Sequence, residues 1–329
     1  MDETNPNASL DGYMYDRHAR PRLERPDESR GQTHVPEATL RRIETPDGVT
    51  LGATVWDPPG RARDHVLVIA SATGVLRSYY APFAAWLASR GFAVVTFDYR
   101  GIGDSRIGAV ELARAGEPSM HDWGERDLAC LLAWAGTTLG NGRAALLGHS
   151  VGGQLVGLLP DHAQSRISAL VTIGSQSGDF RLWPLPARLA MAVLWYGVVP
   201  GVTHAVGYLP GALGIGEDLP AGVALEWARW CRTPGYLVGE GFASRREGFA
   251  RLDAPVLAYG FDDDVYAPSA AVDALHALYV GARIERRQLG RDAGRFGHFG
   301  FFRARARNHA LWDDVAAFLE AEVPSGLTP

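Results

Sequence analysis

A serine, a cluster of carboxylates and a histidine lie in this sequence in surroundings that suit nucleophilic catalysis. Ser150 is the centre of residues 148–152, which read Gly-His-Ser-Val-Gly and have the form G-x-S-x-G. A serine hydroxyl is a poor nucleophile at neutral pH until a base takes its proton, and that base needs an acid to hold its tautomer. The chemistry that these three residue types allow together is acyl transfer through a covalent acyl-serine.

The neighbouring segments strengthen the assignment of Ser150. An apolar strand is predicted at residues 144–147, and a helix begins after the serine and runs through 154–159. A nucleophile at the tip of a strand needs a very tight turn, which explains small residues on both flanks, and the helix directs its first amides at a developing oxyanion. The alternative is a glycine-rich turn with an incidental serine. A second serine-containing run, 174–178, has Gln at its centre and no helix after it, so we reject it.

The acid is expected after a later strand, because this arrangement has the chain order serine, acid, histidine. The predicted strand 255–259 is followed by three adjacent carboxylates, Asp262, Asp263 and Asp264. All three remain possible. We favour Asp263, three residues beyond Gly260, and the alternative is a solvated acidic turn.

The base is predicted to be His298, which lies between two glycines after the last strand and before the last helix. The other histidines fit less well. His149 is expected to point away from the serine, His309 lies within or before the final helix, and His18 and His34 belong to the N-terminal tail. A core histidine among aromatic neighbours is the alternative for His298.

Two backbone N–H groups are needed to stabilise the oxyanion. One is predicted to be that of Val151, directly after the nucleophile. The other is assigned to Thr73, in the loop 71–75 that follows the predicted strand 66–70.

The elements that position these residues alternate between strand and helix, a pattern typical of a mostly parallel sheet covered by helices on both faces. The predicted strands are 40–45, 49–56, 66–70, 92–97, 144–147, 169–173, 255–259 and 284–289. The predicted helices are 79–90, 127–135, 154–159, 270–279 and 310–320. We expect a disordered tail at 1–37, one α/β domain at 38–323, and a helical lid inserted at 178–250.

The predicted lid is rich in Trp, Tyr, Gly and Pro. Trp227 and Trp230 lie three apart on a helical segment, and Trp183 adds a further aromatic side chain. Presented to Ser150, they favour an apolar or aromatic group on the substrate; packing of the lid on the core is the alternative. Arg303, Arg305 and Arg307 are interpreted as solvated charges, with capture of a substrate carboxylate as the alternative.

With these motifs in order, the chain resembles the α/β-hydrolase superfamily from about residue 38 to 323. A closer resemblance, to uncharacterised bacterial predicted α/β-hydrolases related to serine aminopeptidase-like and lysophospholipase-like enzymes, rests on residues 97–103, 217–220 with 226–231, and 297–303. The resemblance implies the α/β-hydrolase fold and its serine chemistry. Ser71-Ala72 stands where many superfamily members have His-Gly, so this loop departs from the family pattern.

Composition excludes several other classes. The formal net charge is -5, which argues against nucleic-acid binding, and all 32 basic residues are arginines. Without lysine there is no P-loop, pyridoxal Schiff base or Ser-Lys dyad.

The two cysteines have no metal-binding spacing, and we expect no metal or cofactor. The N-terminus lacks an apolar secretory region, and the longest apolar stretch, 189–199, is too short to span a membrane, so we expect a cytoplasmic protein without a transmembrane segment.

The sequence therefore predicts a serine hydrolase that acts on a small-molecule ester or thioester carrying an apolar or aromatic group. Transfer of the acyl group to an acceptor other than water, peptide cleavage and carbon–carbon bond hydrolysis use the same triad and remain open. A non-catalytic small-molecule-binding protein of the same fold is the alternative from another class. The sequence does not indicate an oligomeric state.

Overall fold

The computed structural model of the protein describes residues 36–322, apart from 60–64, 109–111, 114, 215 and 241–242. Most of the predicted N-terminal tail, residues 1–35, lies outside the described residues. Glu37 already begins the first strand, one residue inside the predicted tail.

The core is an eight-stranded sheet in the order β1-β2-β4-β3-β5-β6-β9-β10. Its strands are β1 (Glu37–Glu44), β2 (Thr50–Asp57), β3 (Val66–Ala70), β4 (Ala93–Phe97), β5 (Ala144–His149), β6 (Ile167–Ile173), β9 (Val256–Phe261) and β10 (Ile284–Leu289). Only the pairs β1/β2 and β2/β4 are antiparallel. A separate two-stranded sheet pairs β7 (Tyr208–Leu209) with β8 (Leu219–Pro220). The predicted α/β architecture with a mostly parallel sheet is confirmed.

Some helices cover the two faces of the main sheet, and others belong to an insertion that follows β6. They are α1 (Ala81–Ser89), α2 (Met120–Asp122), α3 (Ala129–Thr138), α4 (Val151–Gln154), α5 (Asp161–Gln164), α6 (Ala187–Val193), α7 (Val199–Val206), α8 (Ala221–Arg232), α9 (Ala243–Ala250), α10 (Ser269–His276) and α11 (His309–Glu322). Successive side chains of a strand point to opposite faces. In β3, Val66 and Val68 accordingly join one buried cluster and Leu67 and Ile69 the other. Burial on both faces explains why this strand is continuously apolar in sequence.

The helical insertion, residues 174–255, leaves the sheet after β6 and returns at β9, its neighbour. It contains α6 to α9 and the small sheet. The last helix, α9, packs on the turn Leu155–Leu158, where a Cβ at Gly157 would lie 2.2 Å from the Phe249 ring. The predicted lid, residues 178–250, included α9. In the structure this helix packs with the helical layer on the sheet.

One long apolar helix crosses the insertion. Ala187–Val206 spans 20 residues, and an 18-residue stretch of it has a mean hydropathy of 1.5 and is 17% buried. By length and composition alone, it is the one helix of the described residues that could cross a membrane. The longest apolar stretch predicted from the sequence, residues 189–199, is therefore shorter than the apolar helix in the structure. The helix continues beyond residue 199, where the predicted apolar stretch ends. It does so because a π turn at Leu194–Val198 precedes Pro200, with the Val199 N–H donating to the Leu194 carbonyl. The cytoplasmic location stays a prediction.

Candidate active site

Ser150 occupies a sharp turn between β5 and α4. Its φ is +52° and its ψ is −115°, a conformation that is costly for a residue with a side chain. A Cβ at Gly148 would lie 2.3 Å from the Gly153 nitrogen, and one at Gly152 would lie 2.2 Å from the Ala70 carbonyl oxygen. The two glycines of the motif are therefore required by close backbone contact. The turn is further held by the Ser150 N–H, which donates to the Ile173 carbonyl at 3.0 Å.

The structure pairs His298 with Asp264. Nδ1 of His298 lies 2.7 Å from Oδ2 of Asp264, and both side chains are almost completely buried. The second carboxylate oxygen accepts hydrogen bonds from the backbone N–H groups of Tyr266 at 2.8 Å and Ala267 at 3.0 Å. With Nδ1–H donating to the carboxylate, Nε2 is left as the basic nitrogen of a neutral imidazole.

The choice of Asp263 as partner of His298 is therefore wrong. Its Oδ1 accepts a hydrogen bond from the Gly297 N–H at 3.0 Å, so Asp263 anchors the loop before His298 and does not touch the imidazole. The count of three residues began at Gly260, but β9 continues to Phe261. Counted from the true end of the strand, the third residue is Asp264. Asp262 is exposed and accepts from the Gln288 side chain at 2.6 Å.

A chain of hydrogen bonds connects the loop after β3 with the histidine loop. The Ala72 N–H donates to the Tyr80 hydroxyl at 2.8 Å, and that hydroxyl lies 2.8 Å from Nδ1 of His149. Nε2 of His149 lies 2.9 Å from the His298 carbonyl oxygen, which can only accept. His149 is thus neutral with its proton on Nε2; burial holds its pKa well below the ordinary value, and protonation of His298 lowers it further. The sequence did not indicate that His149 would connect these two loops.

Gly174 is a second feature that sequence reasoning missed. It follows β6 with a φ of +58°, and a Cβ there would lie 3.2 Å from both Oδ2 of Asp264 and Nδ1 of His298. A side chain at this position would press on the pair. The glycine of the rejected run at 174–178 therefore matters, although its serines do not act as the nucleophile; the available signal was its place at the end of a buried strand.

Ser150 and His298 line one cavity of about 300 Å³, which we call the substrate cavity. Val151 and Thr73, the predicted oxyanion donors, line it as well. The Ala72 N–H is occupied by Tyr80, which leaves Thr73 as the next backbone donor of its loop. The assignment of these two N–H groups stays a prediction.

The insertion supplies an apolar wall of the substrate cavity. Trp183 and Trp227 line it together with Met191, Leu194 and Trp195, and the predicted contact of the two tryptophans with substrate stays a prediction. No Asp, Glu or Arg belongs to this lining in the described part of the chain. A cavity of this size and polarity fits an uncharged, apolar group of a small molecule.

Trp230 was predicted to face the substrate and does not. It is fully buried on the other side of α8, edge-on to Tyr236, with the Arg245 guanidinium 5.2 Å from its ring centre. Cys231, four residues after Trp227, is the one that lines the cavity beside it. Positions four apart are displaced by less around a helix than positions three apart, and here that difference separates cavity from core.

The described residues contain no group of three His, Cys, Asp or Glu side chains that could hold a metal ion.

Comparison with known proteins agrees with the fold. A family model described as the alpha/beta hydrolase fold matches residues 64–205, and no curated protein matches the sequence. A soluble variant of monoglyceride lipase from Saccharomyces cerevisiae, in complex with a substrate analog, is similar with a TM-score of 0.63 and 14% identity, over 91% of this chain and 99% of the other. An esterase from Exiguobacterium antarcticum is similar with a TM-score of 0.56 and 16% identity, over 86% of this chain and 100% of the other. A hydrolase from Pseudomonas aeruginosa is similar with a TM-score of 0.53 and 20% identity, over 86% of this chain and 98% of the other.

Proposed function

We propose that this chain, which has the α/β-hydrolase fold, is a serine hydrolase that cleaves a carboxylic ester or thioester with an apolar or aromatic acyl group. The observation that carries the proposal is the buried Asp264–His298 pair, which shares an apolar cavity with a serine on a strained turn. The esterase and lipase neighbours support the choice of an ester among the bonds that such a triad can cleave.

In the proposed reaction, Nε2 of His298 takes the proton of the Ser150 hydroxyl while Oγ attacks the carbonyl carbon. The carbonyl electron pair moves onto oxygen, where the N–H groups of Val151 and Thr73 are the proposed donors. The imidazolium is stabilised by Asp264 and returns its proton to the departing alkoxide or thiolate. Water then enters and gives a proton to Nε2 while its oxygen attacks the acyl carbon. The bond between that carbon and Oγ breaks, Nε2 returns the proton to Oγ, and the acid is released with Ser150 and the neutral imidazole restored.

The test is active-site labelling with a fluorophosphonate, followed by assays with p-nitrophenyl esters of increasing acyl length. We expect the probe to label the wild-type protein and not Ser150→Ala, with activity falling at least about 10³-fold in this variant. Labelling of neither protein would favour the non-catalytic binding protein instead.

The ester series tests the apolar acyl group separately. The apolar cavity predicts that kcat/KM rises from acetate to medium-length chains, and a preference for acetate would contradict that part of the proposal. Partitioning of product toward an added alcohol or amine would identify acyl transfer in place of hydrolysis.

A further inference from the structure

A second cavity lies beside His298 and is distinct in chemistry from the substrate cavity. It has a volume of about 420 Å³ and is lined by four arginines, Arg295, Arg303, Arg305 and Arg307. We call it the arginine cavity. Its wall shares Tyr266, His298 and Phe299 with the substrate cavity, so the two spaces meet at the proposed base.

The arginine cavity concentrates positive charge on a chain whose net charge is -5. Nine other arginines of the described residues form ion pairs with carboxylates: Arg77, Arg90, Arg100, Arg126, Arg181, Arg251, Arg283, Arg286 and Arg287. The four arginines that line this cavity form none with the described carboxylates. The one carboxylate in the wall is Asp263, whose Oδ1 is engaged by the Gly297 N–H. The lining therefore carries an excess of three formal positive charges.

Three of these arginines interact with the surrounding chain. The Arg307 guanidinium lies 5.4 Å from the centre of the Phe296 ring and donates to the Arg295 carbonyl at 2.6 Å. Arg303 and Arg305 lie near the Tyr79 hydroxyl, where burial raises the pKa of Tyr79 and the two positive charges oppose that rise. Partly ordered guanidinium groups lose less entropy on binding a ligand than freely moving ones.

We infer that the arginine cavity binds an anionic group, a phosphate or a carboxylate, carried by the alcohol or thiol that leaves during formation of the acyl-serine. The inference rests on the proposed function. Guanidinium groups bind both kinds of anion through paired hydrogen bonds. The acyl group would occupy the apolar substrate cavity, and the leaving group would extend past His298 into the arginine cavity.

This placement assigns the arginines to one half of the reaction. In acylation, the bond between the carbonyl carbon and the leaving oxygen or sulfur breaks, and Nε2 of His298 protonates that atom. The anion is then released with the alcohol or thiol, so deacylation proceeds without it. The arginines should accordingly influence kcat/KM, which reports acylation, more than the rate of deacylation.

The experiment compares esters of one acyl group with three alcohols: 3-methoxypropanol, 4-hydroxybutyrate and 3-hydroxypropyl phosphate. We expect at least one of the two anionic esters to exceed the neutral ester in kcat/KM by about tenfold or more at low salt, and the larger ratio identifies the preferred anion. In Arg305→Gln/Arg307→Gln that ratio should fall about tenfold. Arg291→Gln is the matched control, because Arg291 is exposed nearby and does not line the cavity.

Binding separates this inference from the proposed function. By calorimetry, Ser150→Ala should bind 3-hydroxypropyl phosphate or 4-hydroxybutyrate, and the added double arginine substitution should weaken binding about tenfold. Equal kcat/KM values for all three esters, or binding that the double arginine substitution does not weaken, would overturn the arginine cavity. If the fluorophosphonate still labelled the wild-type protein, the proposed hydrolase would stand. Inorganic phosphate that accelerates cleavage of the neutral ester would identify a separate anion and overturn the assignment to the leaving group. Failure of labelling with arginine-dependent binding intact would overturn the hydrolase and, with it, the assignment to a leaving group, and would leave the arginine cavity as an anion-binding site.

Discussion

The carboxyl edge of the sheet, formed by the ends of β5, β6 and β9 with the loops that carry Ser150, Asp264 and His298, is held very differently from the helical insertion. At the edge, hydrogen bonds hold the three functional residues: the Ser150 N–H donates to Ile173, the N–H groups of Tyr266 and Ala267 donate to Asp264, and Asp264 accepts from His298. In the insertion, the helical segment Ala187–Val206 exposes large apolar residues: Leu189, Val193, Tyr196 and Val206.

This difference indicates how the two regions divide the work. Hydrogen bonds are directional, so the edge can hold a proton-transfer geometry within narrow limits. Apolar contacts are not directional, so the insertion can select a substrate by size and polarity without a fixed orientation of its own. Substitutions at the edge should therefore affect catalysis strongly and individually, whereas those in the insertion should shift selectivity by small steps.

The largest expected effect separates two neighbouring carboxylates of the edge. Asp264→Asn should lower kcat about 10³- to 10⁴-fold, because the amide no longer stabilises the imidazolium or selects the correct tautomer. Asp263→Asn should cost less than about tenfold, since the amide oxygen can still accept from Gly297. Steady-state kinetics on one p-nitrophenyl ester measure both variants. A greater loss in Asp263→Asn than in Asp264→Asn would reverse the assignment. It would also contradict the view that hydrogen bonds at the edge hold the proton-transfer geometry within narrow limits.

The same contrast governs what could be predicted from the sequence. The strands and the turn at Ser150 follow local rules: continuous apolar runs, and glycines where a Cβ would collide. The acid was misplaced by one residue because apolar character shows where a strand lies but not the residue at which it ends. Only the turn geometry after Phe261 determines which of three adjacent carboxylates faces inward.

Features that depend on distant segments were beyond such rules. The Tyr80–His149 connection joins two segments 69 residues apart, and the arginine cavity combines Asp263 with residues more than thirty positions later. In the insertion, Trp227 and Trp230 differ in role only because of how α8 is rotated against its neighbours. A regular sequence pattern shows that such a helix has an apolar side, but not which neighbour covers each residue.

A smaller effect is expected in stability, from a histidine beneath the edge. His276 of α10 donates from Nδ1 to the Val272 carbonyl at 2.7 Å, and its Nε2 lies 2.8 Å from the Thr172 hydroxyl of β6. Burial lowers the pKa of His276 to about 4 from 6.5. As the pH falls below 6.5, the unfolded chain takes up a proton that the folded protein still refuses, so the free energy of unfolding decreases by up to about 3 kcal/mol by pH 4.

Urea unfolding at several pH values between 7.5 and 4.5 measures this dependence. His276→Gln should flatten it relative to wild type, whatever the variant's stability at pH 7.5. His204→Gln provides the control, because His204 is exposed on α7 and its loss should leave the dependence unchanged. Parallel curves for wild type and His276→Gln would show that the histidine is not held neutral by the packing beneath the edge.

The smallest expected effect compares two sides of one helix in the insertion. Met191 lines the substrate cavity, whereas Leu189, two residues earlier on α6, is 62% exposed. Met191→Ala should lower kcat/KM about fivefold for the acyl chain that fills the wild-type cavity, a loss of about 1 kcal/mol of apolar contact. Leu189→Ala removes a similar apolar side chain from the outer side and should stay within twofold of wild type on the same soluble ester. The acetate ester, too short to reach this wall, should respond to neither substitution. Equal losses in both variants on the longer ester would mean that the insertion acts through its overall stability, and the distinction between a positioning edge and a selecting insertion would fail at this helix.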